Sequence, residues 1–341
     1  MKKYKTLLTG YLDETHLDQL KQYCEIEVAG WVKTGAFMPE DQLIKTLTET
    51  EIAIIGYENI SAKVLDNSPK LKIIACCRST PVNIDIASAT RRRIPVLYAP
   101  GRNANAVAEL TMGLMISMAR YIPQAHHNLK QGRFLGEPFR GFETDITKKD
   151  VVWNDEAEDP HRVFKGSELK GKTLGIIGLG NIGMKVAVLA QYFGMEVVGY
   201  DPYSSKEKAE LAKVKLMTLE ELLQSSDYIS LHCKVTEDTL GLIGARQIQQ
   251  MRPTAVLINT ARAAMVQEQP LVQALSEKRI RGAALDVFWK EPLPAHHPLL
   301  GMDNVILTPH LGGASYDVNL IQSEMIKEGL LALLQNRIPE N

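Results

Sequence analysis

The chain has 341 residues, enough for about two domains of ordinary size. Hydrophobic residues make up 45% and charged residues 23%, with 24 Gly and 16 Pro, which excludes collagen-like, coiled-coil and disordered classes. Lys and Arg number 39 against 40 Asp and Glu, and a formal charge of -1 leaves no electrostatic footprint for nucleic acid or an anionic membrane. The four cysteines, Cys24, Cys76, Cys77 and Cys233, have no C-x-x-C spacing and are expected to be reduced structural thiols. The basic start Met1-Lys2-Lys3 precedes too short an apolar run for a signal peptide, and no run approaches a membrane span, so a cytoplasmic location is expected.

Short β-rich runs alternate with helical stretches over the first hundred residues. Thr6 to Gly10, Ile26 to Ala29, Ile52 to Ile55, Lys72 to Ala75 and Val96 to Tyr98 read as strands. Leu17 to Tyr23, Asp41 to Thr48 and Ala62 to Leu65 read as helices. Pro95 and Pro100 bracket the last strand, as breakers should. Such alternation predicts a parallel sheet with helices on its faces. The run Arg91-Arg92-Arg93 reads as a solvated helix end. Asn105 to Arg120 reads as a long apolar helix whose Ala106, Ala108 and Gly113 permit close packing. From Phe134 to Gly171 the apolar periodicity fades, and a long surface excursion is expected.

The alternation restarts at Lys172. Strands are predicted at Thr173 to Ile177, Glu196 to Tyr200, Tyr228 to His232, Ala255 to Asn259, Ala283 to Val287 and Val305 to Thr308. An amphipathic helix from Leu320 to Gln335 follows. The first of these strands runs into Gly178-Leu179-Gly180-Asn181-Ile182-Gly183, a G-x-G-x-x-G that opens a helical stretch. Gly178 permits the tight turn, Gly180 lets backbone approach a pyrophosphate, and Gly183 lets helix and strand pack closely. The next strand ends at Asp201, whose carboxylate suits the ribose hydroxyls of NAD and repels the 2′-phosphate of NADP.

Three later strands each end in a chemically useful segment. Ile258-Asn259-Thr260-Ala261-Arg262 supplies an arginine. Leu285-Asp286-Val287-Phe288-Trp289-Lys290-Glu291-Pro292 supplies two acids, and Thr308-Pro309-His310-Leu311-Gly312-Gly313 a histidine. The ligand crevice of an open parallel sheet lies outside the carboxyl ends of its strands, where all three point. Arginine offers a planar fork for carboxylate and keto oxygens. Histidine can give or take a proton, and a paired glutamate would favour the imidazolium. The pairs His126-His127 and His296-His297 lack metal-ligand spacing and are expected on the surface, with no metal site.

GLGNIG, INTAR, ALDVFWKEP and TPHLGG, in that order, make the chain resemble the D-isomer-specific 2-hydroxyacid dehydrogenases from about Leu71 onward. The resemblance implies Arg262, Glu291 and His310 as the catalytic set. It places Asn181 and Ile182 at the cofactor phosphates and Cys233, Lys234 and Val235 near the adenine. Thr260, Ala261, Gly312 and Gly313 join the cofactor contacts. Asp286 has two open readings, a cofactor contact or a strand-end cap. The loop Cys76-Cys77-Arg78-Ser79-Thr80-Pro81-Val82-Asn83-Ile84-Asp85 departs from the family's G-x-G-V-D-N-I-D, with Thr80 for a glycine and Val82 for an aspartate. Ser79 and Thr80 inherit the substrate carboxylate, while Arg78 is either a contact to a second anionic group or a surface arginine.

The expected architecture is α/β, with two doubly wound parallel-sheet domains. A Rossmann NAD-binding domain (105–311) is inserted into a flavodoxin-like substrate domain (1–104 and 312–341). The implied reaction passes a hydride between NAD and C2 of a small D-2-hydroxy acid or 2-keto acid, in a homodimer. No segment for a serine-sensing domain is expected after His310. A NAD-sensing corepressor or scaffold is one alternative; a phosphite- or formate-type dehydrogenase is another, although Glu291 stands where a formate enzyme would carry Gln.

Overall fold

A computed structural model describes residues 2–135 and 159–339. The chain divides into two compact units, Met1–Asn103 with Gly313–Asn341, and Ala104–Gly312. The first unit opens with β1 (Tyr4–Leu8), α1 (Glu14–Leu20), β2 (Cys24–Val28), α2 (Trp31–Thr34), α3 (Glu40–Leu47) and β3 (Ile52–Ile55). It continues with α4 (Ala62–Asp66), β4 (Ile73–Cys76), α5 (Ile86–Arg91) and β5 (Val96–Tyr98). The second unit holds α6 (Ala104–Arg120), α7 (Ile122–Lys130), α8 (Pro160–Val163), β6 (Thr173–Ile177), α9 (Asn181–Tyr192), β7 (Glu196–Tyr200) and α10 (Lys206–Leu211). Then come β8 (Lys215–Leu216), α11 (Leu219–Ser225), β9 (Tyr228–Leu231), α12 (Ala245–Gln250), β10 (Val256–Asn259), α13 (Glu268–Ser276), β11 (Gly282–Leu285) and β12 (Val305–Leu307). Helix α14 (Tyr316–Leu334) returns to the first unit.

The first sheet is parallel with strand order β2-β1-β3-β4-β5. Ile52–Ile55 and Ile73–Cys76 are buried at every position, as strands covered on both faces must be. Leu7, Ala53, Ile55 and Ile74 pack with Leu43, Leu47, Val64 and Leu65 on one face. Leu8, Ile52, Ile54 and Ala75 pack with Leu20, Ile326 and Leu330 on the other, so α14 completes that core. Sequence order reverses between β1 and β3, which sets a topological switch point at Gly10 and Gly56.

The second sheet is also parallel, ordered β12-β11-β10-β9-β6-β7-β8. Its switch point lies between β6 and β9, where the glycine-rich turn sits. Helices α6 and α9 cover one face through Ala108, Met112, Met115, Val186 and Ala190. Leu222, Ile248, Leu271 and Leu275 of α11, α12 and α13 cover the other.

Several expectations change. Strand β2 starts at Cys24, and α2, α5 and the two-residue strand β8 are too short to show apolar periodicity. Strand β9 stops at Leu231, before His232. Helix α14 starts earlier than predicted, at a cap where Ser315 Oγ accepts from Asp317 N. Gly113 mediates no close packing, since a Cβ there would meet nothing within 4 Å. The predicted excursion lies outside the described residues over 136–158. Its far end is built, with α8 and a buried Leu169. Among the described residues, no helix is long and apolar enough to cross a membrane.

Candidate active site

Asn259 ends β10, buried at 1% exposure. Its Oδ1 accepts from Ala261 N at 3.0 Å and its Nδ2 donates to Arg262 O at 3.0 Å, folding the next residues into a tight turn. Thr260 turns its hydroxyl into the core against that of Thr111, 2.9 Å away. Arg262 emerges exposed, with Nη1 donating to Ala261 O at 2.6 Å.

Beyond β11, Glu291 Oε1 accepts from Phe288 N at 3.0 Å, and Glu291 Oε2 lies 2.7 Å from His310 Nδ1. Partial burial pushes the Glu291 carboxyl up. The His310 hydrogen bond, the Phe288 amide and the charges of His310 and Arg262 outweigh it, so the group ends below the usual carboxylate range. An ionised carboxylate only accepts, which puts the proton on His310 Nδ1 and leaves Nε2 for another partner.

His310 has a φ of 56°, in the left-handed region that side chains other than glycine seldom occupy. Asp286 holds the chain on both sides of it, through a side-chain hydroxyl before and two backbone amides after. This fully buried carboxylate accepts from Thr308 Oγ1 at 2.6 Å, Leu311 N at 2.7 Å and Gly312 N at 2.8 Å. Three charge-assisted bonds thus fix a turn that would otherwise relax.

The glycine-rich turn fits a dinucleotide. Gly178 has φ 94°, and a Cβ on it would lie 2.6 Å from Cys233 N. A Cβ on Gly183 would lie 2.0 Å from Gly178 O, whereas one on Gly180 would enter open space. Gly180 caps α9 without a side-chain hydrogen bond, so the first-turn amides, Asn181 and Ile182 among them, remain for phosphate oxygens. Asp201 accepts from Leu179 N at 2.8 Å and Tyr203 N at 2.9 Å, and its two oxygens keep lone pairs for ribose hydroxyls. Cys233 turns its thiol toward Met265 Sδ, 3.1 Å away, while Lys234 and Val235 are exposed on the loop after β9.

The loop bearing Arg78, Ser79 and Thr80 lies in the first unit, after β4, as does Gly313. Ser79 Oγ donates to Asn103 Oδ1 at 3.3 Å, and Thr80 is exposed. Among the described residues, no group of three or more His, Cys, Asp or Glu is placed to hold a metal. His297 is not a surface residue: its side chain is 8% exposed, pairs with Glu268 at 3.0 Å, and stacks on Trp289. Proline-rich flanks hid that contact, because the partner residues are distant in sequence.

Sequence reasoning missed Asn259 and Thr111, which bond the turn after β10, and the buried His232. His232 is buried, with Nε2 2.8 Å from Ser230 Oγ and no partner at Nδ1, and burial lowers its pKa to about 3. A polar Asn closing an apolar strand was the one available signal for Asn259.

The family model "D-isomer specific 2-hydroxyacid dehydrogenase, NAD binding domain" matches residues 112–312. The chain is 37% identical over 339 residues to a D-3-phosphoglycerate dehydrogenase of Methanocaldococcus jannaschii, covering 99% of this chain and 59% of that relative. It therefore spans little more than half that protein's length. It is 34% identical to a glyoxylate reductase of Thermococcus litoralis over 99% of this chain and 96% of that one. A crystal structure of a Thermus thermophilus protein superposes with a TM-score of 0.80 at 32% identity, covering 99% of both chains. With a dinucleotide turn at one switch point and a matching sequence over nearly its whole length, this chain belongs to the D-isomer-specific 2-hydroxyacid dehydrogenase family.

Proposed function

We propose that the protein transfers a hydride between NAD and C2 of a small D-2-hydroxy acid or 2-keto acid, as a phosphoglycerate dehydrogenase-like or glyoxylate/hydroxypyruvate reductase-like enzyme. The observation that carries this reading is the 2.7 Å contact between His310 Nδ1 and Glu291 Oε2, in the unit that also holds Arg262 and the dinucleotide turn. When bound, the nicotinamide supplies or accepts the hydride at C2. His310 Nε2 delivers a proton to the keto oxygen during reduction and removes it from the hydroxyl during oxidation. Glu291 holds the ring tautomer and offsets the imidazolium charge. Arg262 binds the acid through its guanidinium fork. The backbone of Ser79 and Thr80 is assigned to the substrate carboxylate.

NAD is preferred to NADP because Asp201 places a negative charge where a 2′-phosphate would go. Family resemblance extends the proposal to a homodimer, to be tested by analytical ultracentrifugation, and the sequence's lack of a signal-like or membrane-length apolar run extends it to a cytoplasmic location.

NADH oxidation across glyoxylate, hydroxypyruvate, pyruvate, 2-ketoglutarate and phosphohydroxypyruvate tests the reaction. Turnover of at least one acid is expected, and Arg262→Ala should abolish it. His310→Gln should lower kcat by about 10²–10⁴-fold, the usual worth of a general acid–base. Near-normal turnover in that variant would remove His310 from the mechanism. NADH binding without turnover of any acid would turn the reading toward a sensor or an unlike substrate.

A further inference from the structure

Two guanidiniums stand at the carboxyl end of the first unit's sheet with no counter-charge among the described residues. Arg78 leaves β4 and its carbonyl accepts from Ala99 N at 2.9 Å, which joins the loop after β4 to the loop after β5. Arg102 follows three residues after Ala99, and Ser79 Oγ bonds to the adjacent Asn103. Arg78 thus directly precedes Ser79, and Arg102 directly precedes the residue that Ser79 bonds, close enough to Arg78 for the two charges to repel.

Arg78 lies over the Tyr57 ring at 5.1 Å, and Tyr57 packs edge-on against Trp31 (4.7 Å) and Phe37 (6.3 Å). The three aromatic side chains are 36–64% exposed, so they form a wall open to ligand. Arg102 Nε is buried and has no hydrogen-bond partner, and neither arginine forms an ion pair among the described residues. Among the described residues the one buried carboxylate of this unit is Glu58, whose Oε1 accepts from Trp31 N at 2.9 Å while its Oε2 has no hydrogen-bond partner. Burial holds the Arg102 guanidinium below its ordinary range; Tyr57 and Cys77 oppose this, and the like charge of Arg78 adds to it. A desolvated cation beside a second cation is costly unless an anion joins them. The strand ends of an open parallel sheet are where ligands bind.

We propose that Arg78 and Arg102 form a second anion-binding subsite beside the Ser79-Thr80 backbone, so that the preferred substrate is a 2-keto acid bearing an additional carboxylate or phosphate group. Guanidinium forks bind either group bidentately, and Tyr57 fixes the direction of Arg78. The proposal rests on the 2-keto acid reading above.

The test compares kcat/KM for glyoxylate and pyruvate with kcat/KM for 2-ketoglutarate and phosphohydroxypyruvate. The wild type should favour one of the doubly anionic acids, and which one distinguishes carboxylate from phosphate. Arg78→Ala should reduce the ratio of doubly to singly anionic acids by roughly 10–100-fold, with Arg78→Lys retaining part of it. A ratio unmoved by Arg78→Ala, or no preference in the wild type, would overturn the subsite. Calorimetric titration of the NADH-loaded protein with glycolate, 2-hydroxyglutarate and 3-phosphoglycerate gives a readout without turnover. Charge-dependent binding lost in Arg78→Ala, with no keto acid reduced, would keep the subsite and sink the reaction reading. Arg102→Gln, with its fold checked by circular dichroism, repeats the test at the partly buried position.

Discussion

Asp286 never meets bulk solvent, yet it decides where His310 stands. Its Oδ2 accepts from Gly312 N, and its Oδ1 serves both Thr308 Oγ1 and Leu311 N. In Asp286→Asn the amide nitrogen must face at least one N–H donor, at a cost of about 1–3 kcal/mol. We expect a lower Tm together with a fall in kcat, because the left-handed turn at His310 loses its tether. An unchanged kcat in a destabilised variant would show that the tether does not position the catalytic ring. Asp201 acts at the same scale. Asp201→Ala should raise Kd for NADH and shrink the preference for NADH over NADPH, and an unchanged ratio would remove it from cofactor choice. As candidates, Arg262, Glu291 and His310 were legible in sequence because each follows a strand in a distinctive segment. Asn259 and His232 were not, because their importance lies in hydrogen bonds and burial that only the fold creates.

At the level of elements, the turn from β6 to α9 separates two jobs of glycine. A methyl on Gly183 would collide with Gly178 O at 2.0 Å, so Gly183→Ala forces the helix off the strand. Overpacking of this kind costs about 1–3 kcal/mol, and thermal unfolding should show it. A methyl on Gly180 meets no atom within 4 Å. Gly180→Ala should therefore keep stability within about 0.5 kcal/mol while weakening NADH, since the space it fills is the cofactor's approach. If both variants lose stability equally, Gly180 is structural. The fully buried strands β3 and β4 declared themselves through unbroken apolar runs, and α6 through its length. The two-residue β8 and the four-residue α2 carry too few side chains for any periodicity.

For the molecule as a whole, acid stability should carry the mark of one buried imidazole. His232 has a folded pKa of about 3, below the ~6.5 of an unfolded chain. Below pH 6.5 the unfolded state takes up a proton that the folded state refuses. Stability is then lost as pH falls from 6.5 toward 3, at up to about 1.4 kcal/mol per pH unit, and is unaffected above 6.5. Urea unfolding at pH 7.5 and 5.5 measures the slope, and His232→Gln should flatten it. A slope unchanged by that substitution would assign acid sensitivity elsewhere.

Helix α14 belongs to the same core as β1, β3 and β4, yet all of residues 104–312 lie between them in the chain. Synthesis runs from the amino terminus, so the five-stranded sheet leaves the ribosome with Ile52, Ile54 and Ala75 lacking the cover of Ile326 and Leu330. The dinucleotide unit, being one continuous stretch, has all its strands available before that cover arrives. Its partner unit is completed only afterwards. Nascent chains stalled before Tyr316 would expose this apolar face to chaperones, and assembly order is thereby written into the covalent path of the chain.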